Sequence, residues 1–280
     1  MKSRTIGRIA LNGTGVLVFL AAVFPVFWMA STAFKPNNEI FSSTPRPLPS
    51  HPTLEHFDFV LNGRIAEGTF WGYFANSLVL AVVTVLVSGL LALMAATAVA
   101  RFRFRFRTTF LVMLLVVQMV PLEALVIPLF LDLKQLQMLD SLVGLVVVYI
   151  AFAVPFAIWM LRGFVAAVPK ELEEAASIDG AGPVRTFFTV LLPLVAPGLV
   201  ATSIFSFITA WNEFIFAYTF LDDQQKYTLP IMLQFFFGRS SNAWGPIMAA
   251  STLLTIPVII FFLLVQRRMV SGLTSGAVKG

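Results

Sequence analysis

The chain has 280 residues, of which 58% are hydrophobic and 12% charged, with 29 Phe and a mean hydropathy of +0.88. So much apolar surface excludes a globule in water, because one core of this chain length cannot hide it, and lipid is the solvent that remains. The net charge of +5 fits basic residues retained at the cytoplasmic face, and the absence of cysteine excludes disulfides, thiolate nucleophiles and cysteine-bound metals.

A helix of about 20 apolar residues bridges the hydrocarbon core while satisfying its own backbone. The sequence predicts an all-α polytopic membrane protein, one transmembrane domain over 1–280, with six spans at about 15–34, 78–100, 110–131, 142–161, 194–221 and 243–265. The first follows Lys2, Arg4 and Arg8, but it is too long for a signal peptide and lacks a small-residue cleavage site, so it is expected to stay. Next comes an outer loop, 35–70, whose prolines and small polar residues deny it a regular element for most of its length. His51 and His56 fall there five apart, which is not the spacing that brings two ligands onto one helical face, and both read as loop residues. After the second span, RFRFRFR (Arg101 to Arg107) reads as arginines meeting anionic headgroups with phenylalanines in the interface, rather than as a nucleic-acid patch. Within the third span, Gln118 and Glu123 flank Pro121, which frees a carbonyl of the preceding turn. They are candidates to line a path through the membrane or to satisfy that kink.

The segment 162–193 follows the fourth span. Pro169 suits a first helical position, and Glu171, Glu173 and Glu174 complement the dipole of the helix that follows. Leu172, Ala175, Ala176 and Asp179 share one face, and Gly180 supplies a left-handed stop. A second short helix is expected from Pro183 to about Pro193. Two short helices joined at Asp179–Gly182 form a docking element, with Ala175 and Ala176 admitting a neighbouring backbone. Four carboxylates on this element argue against its lying on an anionic leaflet. In the fifth span, Trp211 offers a ring on which the apolar face of a solute can stack, and Asn212 and Glu213 offer hydroxyl partners; an interhelical hydrogen bond is the alternative role for Glu213. A carboxylate facing lipid costs at least about 2.5 kcal/mol, so Glu123 and Glu213 must face protein or water.

Counted outside the spans, thirteen Lys and Arg fall on the side of the N-terminus and six on the other, so both termini are expected in the cytoplasm. The six are Lys35, Arg46, Arg64, Lys134, Lys226 and Arg239.

Glu174, Ala175, Ala176, Gly180, Leu192 and Pro193, with Val190 in place of an Ile, match the Glu-Ala-Ala signature of the membrane subunits of bacterial ATP-binding-cassette importers. Trp211 to Phe214, Tyr227 to Pro230 and the tail Gln266 to Gly280 narrow the likeness; the chain resembles the smaller permease of maltose-type carbohydrate importers over essentially its whole length. The resemblance implies a type I importer permease fold in the bacterial plasma membrane. It also implies a coupling role for Glu174, Ala175, Ala176, Asp179, Gly180, Leu192 and Pro193 toward a separate ATPase dimer, which binds the ATP and magnesium that this chain does not. A second homologous permease and an extracytoplasmic sugar-binding protein are implied partners, and the tail is expected to contact the ATPase. No Gly-x-x-x-x-Gly-Lys-Ser/Thr phosphate cradle occurs, and Asp222–Asp223 has no second acidic cluster with which to hold magnesium, which disfavours a membrane-embedded transferase. A secondary transporter of a small polar solute is the other alternative; it calls for internal repeats and intramembrane charges beyond the two carboxylates present.

Overall fold

The computed structural model describes residues 2–238 and 242–276, with side chains over 11–238 and 242–266. In chain order the elements are α1 (Lys2–Ala33), α2 (Asn37–Ile40), α3 (Glu55–Asn62), a hairpin of β1 (Arg64–Ile65) and β2 (Gly68–Thr69), α4 (Phe70–Arg101), α5 (Arg107–Gln118), α6 (Val126–Gln135) and α7 (Leu142–Ala167). There follow α8 (Glu171–Ile178), α9 (Pro183–Thr186), α10 (Leu192–Trp211), α11 (Ile215–Phe220), α12 (Leu229–Gln234) and α13 (Trp244–Gly276). Among the described residues, five helical stretches are long and apolar enough to cross a membrane: Leu11–Ala33, Phe70–Arg101, Leu142–Ala167, Pro183–Trp211 and Trp244–Gln266. A sixth results if Arg107–Gln118 and Leu122–Gln135, bent by 92°, are one broken span.

The chain divides into two compact units, Met1–Phe70 with Met232–Pro257, and Trp71–Ile231 with Val258–Gly280. In the first, the Lys35 ammonium is buried, lying 4.4 Å from the Trp28 ring centre and donating to the Arg46 carbonyl at 2.7 Å. Glu39 accepts from the backbone N–H of Ser50 and His51, so a proline-rich stretch without a ladder still satisfies its polar groups. His56 departs from the expected loop position. It lies in α3, 3% exposed, with Nε2 2.9 Å from the Lys35 carbonyl oxygen, and its ring fills the space that a Cβ on Gly245 would need.

The second unit is built on α4, α7 and α10. Ala92, Leu93 and Ala96 of α4 pack with Ile158, Leu161 and Val165 of α7 and with Leu191 and Val195 around the start of α10. Gly198 lets the Phe164 ring lie directly on the α10 backbone, the close approach that small residues permit between membrane helices.

Three expected elements come out differently. The third span is not straight: Pro121 lacks an N–H and disfavours helical geometry at Val120, so α5 stops at Gln118 and the chain turns through a 3₁₀ turn, Leu122–Leu125, before α6. The second short helix does not stop near Pro193. It passes through a π turn, Phe187–Leu191, in which the Leu192 N–H reaches back to the Phe187 carbonyl, and Pro193 sits just past that turn in the first turn of α10. The fifth span breaks after Trp211, because the Glu213 carboxylate takes the N–H groups of Phe216 and Ala217 that a continuous helix would give to carbonyls four residues back.

Candidate functional site

Two places in the second unit concentrate the polar and special residues. The first is the projecting segment between α7 and α10. Lys170 opens α8, and Glu171, Glu173 and Glu174 occupy its first turn. The helix closes with a Schellman pattern: the Gly180 N–H donates to the Ser177 carbonyl at 3.1 Å and the Ala181 N–H to the Ala176 carbonyl at 2.9 Å, with Gly180 at φ +80°. Glu174, Ala175 and Asp179 are exposed on this element and Ala176 is half-buried. Ile178 is 86% exposed and Val184 72%, an unusual display of aliphatic surface beside so many carboxylates. Leu192 is half-buried and Pro193 exposed where the segment joins α10.

Arg101, the last residue of α4, grips this element from below. Its guanidinium contacts Glu173 Oε1 at 2.6 and 2.7 Å and donates to the Val168 carbonyl at 3.0 Å, with 10% of the arginine side chain exposed. The run expected to meet headgroups is therefore divided: Arg101 is spent on an internal ion pair, while Arg103 and Arg105 stand exposed.

The second place is a cavity of about 90 Å³ beneath the bend between α5 and α6. Glu123 and Glu213, far apart in sequence, share its wall with Thr84, Tyr149, Phe152, Ser206, Thr209 and Phe216. Glu213 accepts from the Phe216 N–H at 2.8 Å, from the Ala217 N–H at 3.1 Å and from the Tyr149 hydroxyl at 2.5 Å. The other sequence candidates lie elsewhere. Trp211 is 1% exposed, stacked on Phe207 at 5.5 Å and met edge-on by Phe74 at 5.8 Å, so its ring faces are covered. Asn212 is exposed and donates to the Ile208 carbonyl, and Gln118 is exposed at the end of α5. Sequence reasoning missed Arg101, Tyr149 and Thr84. Tyr149 and Thr84 carried a signal, since a hydroxyl inside a span needs a partner, but that Tyr149 meets Glu213 while Thr84 meets no described residue is a long-range fact.

Away from both places, Asp140 adopts φ +51° and ties two connecting segments together. Its carboxylate accepts from Lys226 Nζ at 2.6 Å and from the N–H groups of Asp222 and Asp223. Burial raises its pKa, but the Lys226 ammonium and the two backbone donors outweigh that and hold the carboxyl below its usual range. Among the described residues, no group of three or more His, Asp or Glu is placed to hold a metal ion. The side chains of Lys2, Arg4, Arg8, Arg239, Arg267, Arg268 and Lys279, and with them the contact expected of the tail, lie outside the described residues.

The chain is 45% identical, over the full length of both, to the diacetylchitobiose uptake system permease protein DasC of Streptomyces coelicolor. It is 36% identical to the trehalose/maltose transport system permease protein MalG of Thermococcus litoralis, again over the whole of both. To the trehalose transport system permease protein SugB of Mycobacterium tuberculosis it is 37% identical over 94% of this chain and 95% of that one. The fold matches a chain in the crystal structure of a bacterial ABC transporter involved in the import of the acidic polysaccharide alginate, with a TM-score of 0.78 over 95% of this chain and 97% of that one, at 22% identity. Residues 88–275, which include α8, the π turn and the Glu213 break, match the family described as binding-protein-dependent transport system inner membrane component. The protein is thus a multi-pass transport component of the inner membrane and belongs to that family.

Proposed function

We propose that this chain is one of two homologous permease subunits of an ATP-driven carbohydrate importer. It forms half of the translocation path as a single domain over 1–280, with both termini in the cytoplasm. A separate ATPase dimer binds and hydrolyses ATP with magnesium, and an extracytoplasmic binding protein delivers the sugar. The relatives named above, each named for a saccharide, support the carbohydrate class.

The observation that carries the reading is the form of segment 162–193: a carboxylate-rich helix shut by a left-handed glycine, with Ile178 and Val184 exposed. It is joined without a break to α10, whose far end reaches the cavity. Glu174, Ala175, Ala176, Asp179 and Gly180 form the surface that seats in the ATPase, and Leu192 and Pro193 root it. Glu123 and Glu213 belong to the wall of the path, Trp211 supports that wall from behind, and Gln118 and Asn212 flank it. Pro183–Trp211 is 29 residues of continuous helix, about 43 Å at 1.5 Å per residue, so a displacement at the ATPase is delivered to the cavity as motion of one rod.

Replacing Gly180 by Val tests the assignment. A β-branched residue at φ +80° is strained and swings α9 away from its seat. Co-purification of the ATPase and sugar uptake are both expected to fall; unchanged values for both overturn the coupling role.

A further inference from the structure

We propose that the cavity beneath the α5–α6 bend is a saccharide subsite in which Glu123 and Thr84, and not Glu213, contact the solute. The inference rests on the carbohydrate-import reading above and assigns roles within it. The two glutamates that share the cavity are in opposite states. Glu213 is consumed by three donors: two backbone N–H groups that start α11 and the Tyr149 hydroxyl. A solute hydroxyl gains little from an acceptor already so engaged. Glu123 sits on the 3₁₀ turn, exposed toward the same space, and its carboxylate makes neither an ion pair nor a hydrogen bond to any described residue.

Thr84 supplies the second observation. Its hydroxyl is buried, the residue being 1% exposed, and has no partner. Several hydroxyls on membrane helices here bond back to their own helix, as Thr97 does to Leu93, Ser203 to Leu199 and Thr209 to Phe205, whereas Thr32, Thr84 and Ser88 have no partner, and of these three only Thr84 lines the cavity. Thr84 makes no such bond, although the same carbonyl geometry is available on α4. A buried hydroxyl left without a partner costs stability, and its place on a cavity wall points to a ligand that completes it.

The chemistry of the wall selects the ligand class. An ionised carboxylate only accepts, so it calls for O–H or N–H donors, and a threonine hydroxyl both gives and takes. Half-buried Phe152 and buried Phe216 line the same wall and supply apolar surface suited to C–H groups. Donors beside C–H groups describe a sugar ring, of which a space of about 90 Å³ admits one edge. A lipid tail has no donors, and a bare cation would call for a fuller set of oxygen ligands than one free carboxylate.

The test uses the complete importer in proteoliposomes loaded with ATP, with labelled diacetylchitobiose, trehalose and maltose as probes, followed by monodeoxy analogues of whichever is carried. The same binding protein serves every variant, so its selectivity cancels from the comparison. The wild type is expected to disfavour at least one deoxy analogue by about tenfold, the scale of one lost hydrogen bond. Thr84→Val or Glu123→Gln should abolish that discrimination, and Thr84→Ser should keep it. Glu213→Gln should lower transport of the sugar and its analogues in proportion. Discrimination that is absent from the wild type, or that survives both Thr84→Val and Glu123→Gln, overturns the subsite while leaving carbohydrate import standing. A wild-type complex that carries none of the three sugars overturns the import reading and the subsite with it.

Discussion

At the scale of single residues, three positions do work that their neighbours in sequence do not advertise. Arg101 is the C-terminal residue of α4, yet its guanidinium holds the first turn of α8 through Glu173 and the Val168 carbonyl. Because the pair is largely shielded, removing one partner strands the other. A double-mutant cycle of Arg101→Ala and Glu173→Ala on thermal stability should return a coupling of about 1 kcal/mol or more; strictly additive losses would mean the contact is incidental. Gly180 matters through its backbone alone, since a Cβ there would meet nothing; the cost of replacing it, about 1–2 kcal/mol, is the left-handed strain. Asp140 also sits at positive φ, which Asn tolerates, so Asp140→Asn removes the charge and keeps the turn. Since the folded-state carboxyl titrates below the ordinary value of 3.8, its stabilising contribution is complete above that value and is lost as the pH falls through the lowered one. The acid limb of a stability–pH profile should therefore be shallower in Asp140→Asn than in the wild type, and identical limbs would refute the linkage.

Elements show where sequence reasoning succeeds and where it stops. Helix α8 was legible because its signals are local, charges in the first turn and a glycine where the chain must reverse, although it starts at Glu171, two residues after the Pro169 expected to open it. The break after Trp211 was not, because Glu213 reads as a polar intruder in a span, and only the fold shows it as the cap of α11 with Tyr149 as its third donor. Glu213→Ala should destabilise the protein by about 2 kcal/mol, from a lost cap and an orphaned tyrosine hydroxyl, and Tyr149→Phe by less, measured as shifts in thermal unfolding. Equal losses in the two variants would contradict the capping role. The π turn at Phe187–Leu191 was equally hidden, since no residue type marks it; it arises from joining a helix begun at Pro183 to one with Pro193 in its first turn. Deleting Thr189 should convert this turn to regular α-helix and rotate α9 by about 100° relative to α10. The proposed consequence is sugar-stimulated ATPase activity lost with the spans intact; full stimulation in the deletion variant would show that the register of α9 is immaterial.

For the molecule as a whole, scarcity of charge identified lipid as the solvent, and the placement of the remaining charge organised everything else. The two carboxylates that cannot face lipid gathered at one cavity, and four of the other twelve stand on the element proposed to meet the ATPase. Between them runs a single helical rod rooted in the packing of α4 and α7. The account therefore stands on mechanical coupling between two distant places in one chain. Sugar uptake into proteoliposomes that contain the complete importer tests this most directly, measured with ATP supplied on the ATPase side and with ion gradients collapsed by ionophores. The account predicts uptake that needs ATP hydrolysis and the binding protein, persists without an ion gradient and is lost in Gly180→Val. Uptake that follows an ion gradient in the absence of ATP, or that is undiminished in Gly180→Val, would contradict it.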